Sequence, residues 1–180
     1  MGSAEEAAAG GEGDTLRQAA EQLGRAVAAN NAILLTGATT GLVRLAGLAA
    51  HKAGAFHIGI SPAENEREHI ENYKLPVDAS DAIIYTGFGL KGRNVVLVRS
   101  CDVVLFVAGS LGSLNEFTIA YDEGKIIGCL TQTGGVADAA ATIVKTFPKV
   151  TKARLFYDDD PRRLLDKCMS AIENEATSAR

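Results

Sequence analysis

The chain has no tryptophan, four prolines and three cysteines in 180 residues, and only 6% of it is aromatic. Cys101, Cys129 and Cys168 are odd in number and widely spaced, with no CxxC pair, which excludes a disulfide framework and a dithiol redox motif. Cys101 and Cys129 lie in or beside apolar runs, where a cysteine serves as a small buried hydrophobe. His51, His57 and His69 show no ligand spacing with one another or with a cysteine, so no metal site is expected. The longest apolar runs, such as 103–108 and 32–35, fall far short of the roughly 18 residues of a membrane span. No basic start followed by an apolar core opens the sequence, so neither a signal nor a transit peptide is expected. Eighteen basic against 22 acidic residues leave a net charge of −4, with no general pull on nucleic acid or anionic lipid. The expectation is a cytoplasmic, soluble protein that binds neither nucleic acid nor membrane.

What is present is an ordinary globular composition, 47% hydrophobic and 22% charged, which excludes disorder throughout. The length suits one domain that buries roughly 70% of its unfolded surface. Residues 1–13 are rich in Gly, Ala and Glu without periodicity and read as a flexible tail, leaving 14–176 as a single domain. Asp14 or Thr15 can cap a helix whose apolar positions Leu16, Ala19, Ala20, Leu23 and Val27 keep helical spacing. Short apolar runs at 32–36, 55–60, 82–86, 103–107, 126–130 and 153–157 then alternate with helical stretches near 41–53, 91–100, 113–123, 136–147 and 160–174. Unbroken Ile/Val/Leu runs suit strands covered on both faces. The pattern predicts an α/β fold: a doubly wound, mainly parallel, Rossmann-like sheet of about six strands sandwiched by helices.

Residues 61–80 break this rhythm. They carry Pro62, Pro76, five acidic residues and His69, with no clean signal beyond a short turn at 64–72. A loop of that length is a candidate lid, and Asn65, Arg67 or His69 are candidate contacts to a base or sugar.

Two glycine-rich turns follow strands. The first holds Thr36, Gly37, Ala38, Thr39, Thr40 and Gly41; the second holds Gly109, Ser110, Leu111, Gly112 and Ser113. Glycine lets backbone approach a ligand closely, and the N–H groups at a helix start favour anions such as phosphate. Neither turn matches GxGxxG or the Walker pattern, which argues against an NAD dehydrogenase and a P-loop ATPase. With strand order 3-2-1-4-5 the two turns face one crevice where the winding reverses, and a phosphate-bearing small molecule is the expected ligand.

The run GRNVVLVRSCDVVLFVAGSLGSLNEF (92–117) resembles the signature block of the LOG family, formerly described as lysine decarboxylases, and TGATTGLVRLAG (36–47) resembles that family's first turn. YTGFGLKGRN (85–94) is most similar to a small uncharacterised branch that includes molybdenum-cofactor carrier proteins. The resemblance implies a phosphoribohydrolase, which cuts the N-glycosidic bond of a nucleoside 5′-monophosphate through Arg93 and Glu116. It implies as the alternative a carrier or sensor without turnover, holding a nucleotide or a pterin phosphate. No cofactor is required for either, and Mg²⁺ would arrive only with the ligand. A homodimer or higher homo-oligomer is implied, with Val95, Val96 and Val98 serving core or interface.

Glycosidic cleavage passes through an oxocarbenium-like state that a carboxylate stabilises, and an Arg holds phosphate or sugar oxygens through paired donors. On the residues alone, Glu116 reads as an acidic group favoured by the dipole at its helix's first turn, and Arg93 as a solvated helix-start residue. Arg99 is a candidate surface partner of Asp102. Where the family has Pro-Gly-Gly, this chain has Ala108-Gly109-Ser110, and the Ser110 Cβ is expected to narrow the approach of a phosphate, penalise positive φ and so weaken turnover while the ligand is retained.

Overall fold

The computed structural model describes residues 12–178. The element order is α1 (Glu12–Ala29), β1 (Leu34–Thr36), α2 (Gly41–Lys52), β2 (His57–Ser61), α3 (Glu66–Glu71), β3 (Ala82–Tyr85), α4 (Gly89–Arg99), β4 (Val103–Val107), α5 (Leu111–Asp122), β5 (Ile126–Leu130), α6 (Gly135–Thr146), β6 (Arg154–Asp158) and α7 (Pro161–Ser178). The six strands and the helices between them match the α/β reading. Most of the expected tail, residues 1–11, lies outside the described residues, and α1 starts at Glu12 rather than Asp14.

Two strands start later than their apolar runs, for one reason. Ala32 N–H donates to Val27 O (3.2 Å) behind left-handed Asn31 (φ 49°), and Ala55 N–H donates to Ala50 O (3.0 Å) behind Gly54 (φ 93°). Those residues close the preceding helices, satisfying terminal carbonyls that would otherwise lack partners. At the other end, Asp160 Oδ1 accepts from Arg163 N–H (2.8 Å) and Pro161 takes the first helical position, which starts α7.

All four strand pairings are parallel, but they form two three-stranded sheets, β1-β2-β3 and β4-β5-β6. The continuous order 3-2-1-4-5 is therefore corrected: among the described residues no ladder joins β1 to β4. With only three residues, β1 offers little backbone for a second ladder. Side chains bridge the halves instead. Leu34 of β1 and Leu105 of β4 pack on one cluster with Ala26, Val27, Ala50, Ala55 and Leu165, beneath α1 and α7. A second cluster joins Ala20, Leu23, Leu42, Val107, Ala108, Leu130 and Leu164. The largest lies on the other face of β4 and β5, around Phe106, Phe117, Ile127 and Cys129. Phe106 and Phe117 meet edge to face, 5.6 Å between centroids, a geometry that favours aromatic pairs.

Among the described residues no helix is long and apolar enough to cross a membrane. Cys129 and Cys168 are fully buried, whereas Cys101 is half-buried, its thiol donating to Leu97 O at 3.1 Å. Arg99 lies 3.7 Å from Glu123, so its acidic neighbour is that residue and not Asp102.

The α1–α2 crossing is unusually close because Gly24 has no side chain; a Cβ there would overlap Ala46 O and come within 2.9 Å of Ala50 N. Gly24→Ala is therefore expected to cost about 1–3 kcal/mol through overpacking, despite alanine's better helix propensity. Thermal unfolding checks this, with a fall of several degrees expected.

Candidate functional site

Three elements converge where β1 ends. Arg93 on α4 is 5% exposed and Glu116 on α5 is 7% exposed, and Arg93 Nη1 donates to Glu116 Oε1 at 3.3 Å. The guanidinium lies flat on Gly37: a Cβ there would come within 2.6 Å of Arg93 Cζ and 2.7 Å of Nη2. Glycine is thus required at 37 for close approach, not merely for the turn. The next residues reinforce the contact, since Asn94 Nδ2 donates to Asn115 Oδ1 at 2.8 Å.

These positions correct both local readings. Helix α4 starts at Gly89 instead of 91, which places Arg93 a full turn inside, on the face it shares with buried Leu97. Helix α5 starts at Leu111, so Glu116 sits in its second turn, beyond the reach of the terminal dipole, and the first turn has no acidic residue. Burial pushes the Glu116 carboxyl up, more than Arg93 and Lys91 pull it down; burial also lowers Arg93, against the opposing pull of Glu116. One long contact compensates this desolvation only in part. Arg93 Nε is buried with no hydrogen-bond partner among the described residues. A buried donor left in that state costs about 1–3 kcal/mol and is the natural place for a ligand oxygen.

The two glycine turns share a backbone device. Ala38 (φ 50°) and Ala108 (φ 51°) are non-glycine residues in the left-handed region, a strain of roughly 1–3 kcal/mol each. Thr36 Oγ1 accepts from Ala38 N–H (3.2 Å), and Thr133 Oγ1 accepts from Ala108 N–H (2.8 Å). The turn after β4 is also clamped by α6, where Val136 and Ala137 N–H donate to Gly109 O (3.1 Å) and Ala108 O (3.0 Å). A Cβ at Gly135 would overlap Gly109 O, so the turn after β4 packs backbone on backbone against the start of α6.

Ser110 is extended (φ −109°) at the N-cap position of α5, without a side-chain capping bond, so its Cβ carries no positive-φ penalty. The departure that matters is Ala108, because proline, with φ fixed near −65°, cannot adopt this turn. Ser113 is buried, and its Cβ lies 2.7 Å from where a Gly109 side chain would begin. Leu111 is 79% exposed at the rim.

A cavity of about 230 Å³ opens beside the first turn, lined by Arg17, Thr40, Gly41, Leu42, Arg44, Leu45 and Pro76. Of its two arginines, Arg44 lies within the 36–47 run and Arg17 on α1 far from any motif, and the α1–α2 packing brings them together. Arg44 also pairs with Asp78 through Nε (3.0 Å).

The loop residues are placed differently. Asn65 Oδ1 accepts from Glu68 N–H (3.0 Å) as the N-cap of α3, and Glu68 reaches back to Glu64 N–H (2.6 Å). That Asn-x-x-Glu spacing was a legible helix signal. Arg67 is exposed, 3.8 Å from Glu71 on the same helix. Both line an open surface groove with Glu66, Ile70 and Glu71, apart from the Arg93–Glu116 pair. His69 is fully buried and cannot meet a base: Ser61 Oγ lies 2.8 Å from its Nδ1 and Pro76 O lies 3.1 Å from its Nε2. The loop's first residues are pinned too, with Gly87 N–H on Ala63 O and Gly89 N–H on Pro62 O. Among the described residues no three His, Cys, Asp or Glu side chains gather into a metal-binding group.

A family model described as the SLOG cluster4 family matches residues 1–165. The chain belongs to that family. A molybdenum-cofactor-binding protein from Rippkaea orientalis is 28% identical, with a TM-score of 0.74 over 96% of this chain and 94% of that one. The molybdenum cofactor carrier protein of Chlamydomonas reinhardtii is 22% identical, with a TM-score of 0.71 over 96% and 95% of the two chains, and shares the fold. An uncharacterized protein of Archaeoglobus fulgidus is 29% identical over 111 residues, which span 62% of this chain and 68% of its own.

Removing one member of the buried pair strands the other. Glu116→Ala is expected to lose about 3–5 kcal/mol in urea unfolding, while the double variant Arg93→Met/Glu116→Leu recovers most of it. A buried histidine contributes to the pH dependence near neutrality. His57 is 1% exposed, and burial holds its imidazole below the usual 6.5, against the raising effect of the hydrogen bond it donates to Ala79 O. Its folded form refuses a proton that the unfolded chain accepts, so the stability it supports is full above 6.5 and is lost as pH falls below it. Urea unfolding at about pH 7.5 and about pH 5.5 is expected to show a steeper loss in the wild type than in His57→Gln.

Proposed function

We propose that this SLOG cluster4 protein binds a phosphate-bearing heterocyclic small molecule between its two glycine turns, and that it acts as a carrier or sensor of a pterin phosphate. The observation that carries the reading is the Arg93 Nε donor, buried and unpartnered above Gly37. A guanidinium in that state favours a phosphate or sugar oxygen, with which it forms short charge-assisted bonds. The N-termini of α2 and α5, free of acidic residues in their first turns, add donors and positive potential around the same crevice. The Rippkaea orientalis protein, similar over nearly the whole chain, binds molybdenum cofactor, and that similarity supports a pterin as the heterocycle. The ligand is cargo in this reading.

A second reading is nucleoside 5′-monophosphate hydrolysis, favoured by one feature: Glu116 is a buried carboxyl raised by its surroundings, as general acid–base groups are. In that case Glu116 activates water against the anomeric carbon while Arg93 holds the sugar phosphate, and the base leaves as ribose 5-phosphate forms. In a carrier the same pair holds the ligand in place, and Glu116 has no proton to move.

Two assays separate the readings. For a carrier, calorimetry is expected to show saturable binding of a phosphorylated pterin, retained within about threefold in Glu116→Gln and weakened at least about tenfold in Arg93→Met. Incubation with AMP is then expected to release no ribose 5-phosphate. Ribose 5-phosphate formed by the wild type and reduced at least about 100-fold by Glu116→Gln establishes the hydrolase instead.

A further inference from the structure

The first glycine turn is held by a buried chain of hydrogen bonds whose directions can be worked out atom by atom. His57 Nδ1 contacts Ala79 O, and a carbonyl oxygen only accepts, so Nδ1 carries the proton. A neutral imidazole then has only a lone pair at Nε2, which lies 2.8 Å from Thr36 Oγ1. The Thr36 hydroxyl must donate to it, which turns the oxygen's lone pairs toward Ala38 N–H, 3.2 Å away. Ala38 is the strained residue beside Gly37, and Gly37 is the surface on which the Arg93 guanidinium rests.

The end of β2 repeats the device in mirror order. His69 Nε2 meets Pro76 O at 3.1 Å and so carries the proton, His69 Nδ1 accepts from Ser61 Oγ at 2.8 Å, and Ser61 Oγ accepts from Ala63 N–H at 3.1 Å. Two strand ends are thus tied through buried imidazoles to the same stretch of chain, residues 76–79.

We infer that His57 is a positioning residue: by fixing the direction of the Thr36 hydroxyl, it sets the Gly37–Ala38 backbone and hence the seat of Arg93. The inference rests on the reading of Arg93 as the ligand-holding group. The groups facing His57 suit a neutral ring. Asp81 accepts from its backbone N–H (2.8 Å) and pairs with His51 (2.9 Å) instead of with the imidazole, while Gly47 leaves room beneath the ring. His69 faces the edge of Tyr85, 5.9 Å between centroids.

Nitrogen-15 spectra of the full chain at neutral pH test the relay directly. His57 is expected as the Nδ1–H tautomer and His69 as the opposite Nε2–H tautomer, which no general packing role would dictate. A proton on His57 Nε2, or an imidazolium there, overturns the inference even if no variant folds. In Thr36→Val, which keeps the side-chain volume, the Ala38 amide is expected to exchange at least about tenfold faster and the Arg93 Nε–H signal to move. Thr36→Ser restores both, and Thr133→Val disturbs the Ala108 amide while leaving Ala38 and Arg93 unchanged. An Arg93 signal unmoved by Thr36→Val also overturns it. Binding of a phosphorylated pterin is measured on the same samples: a wild type that shows the relay but binds none refutes the ligand reading and leaves the relay standing.

Discussion

The arrangement of the site depends on one under-compensated interaction, a buried Arg93–Glu116 pair held by a single 3.3 Å contact. Charges removed from water need close to complete pairing to break even, and a lone contact supplies less than a bidentate one. Everything nearby serves to keep the pair in place. Gly37 yields its side-chain volume to the guanidinium, α4 and α5 are tied by Asn94 and Asn115, and both glycine turns are braced by threonine hydroxyls. A protein under selection for stability alone would do better with apolar residues at both positions. Retaining the pair makes sense where a ligand completes it.

The fold supplies the convergence. Parallel strands bring their carboxyl ends, and so the turns after β1 and β4, to one edge, where ligands of open α/β sheets bind. Here β1 and β4 belong to separate three-stranded sheets, joined through the apolar cluster that Leu34 and Leu105 share beneath α1 and α7. Rigidity at the rim comes from backbone contacts: the α6 N-terminus donates to the Ala108 and Gly109 carbonyls, and Gly135 is small enough to allow it.

Much of this was legible in the residues. Continuous apolar runs marked all six strands, and glycine spacing marked both turns. The motif that resembles the LOG family named Arg93 and Glu116, which local physics alone read as a solvated arginine and a dipole-favoured acid. Both helices begin two residues earlier than the pattern predicts, which puts Arg93 and Glu116 past the first turn, on the faces that also bury Leu97 and Phe117. Three-dimensional facts left no trace in the pattern. Strain at Ala38 and Ala108, the pairing of Arg17 with Arg44 around one cavity, and the histidine relays each join residues from separate elements. Ser110 is extended and so escapes the positive-φ penalty expected of it, while the left-handed residue is Ala108, before the glycine.

The central claim is that Arg93 Nε is a donor kept for an incoming oxygen. The most direct measurement follows the Arg93 Nε–H cross-peak while the full chain is titrated with a phosphorylated pterin, with AMP and with inorganic phosphate. A saturable downfield shift and slower exchange are expected with at least one of the first two, as the buried proton gains its acceptor. A cross-peak that stays in place through millimolar concentrations of all three would contradict it.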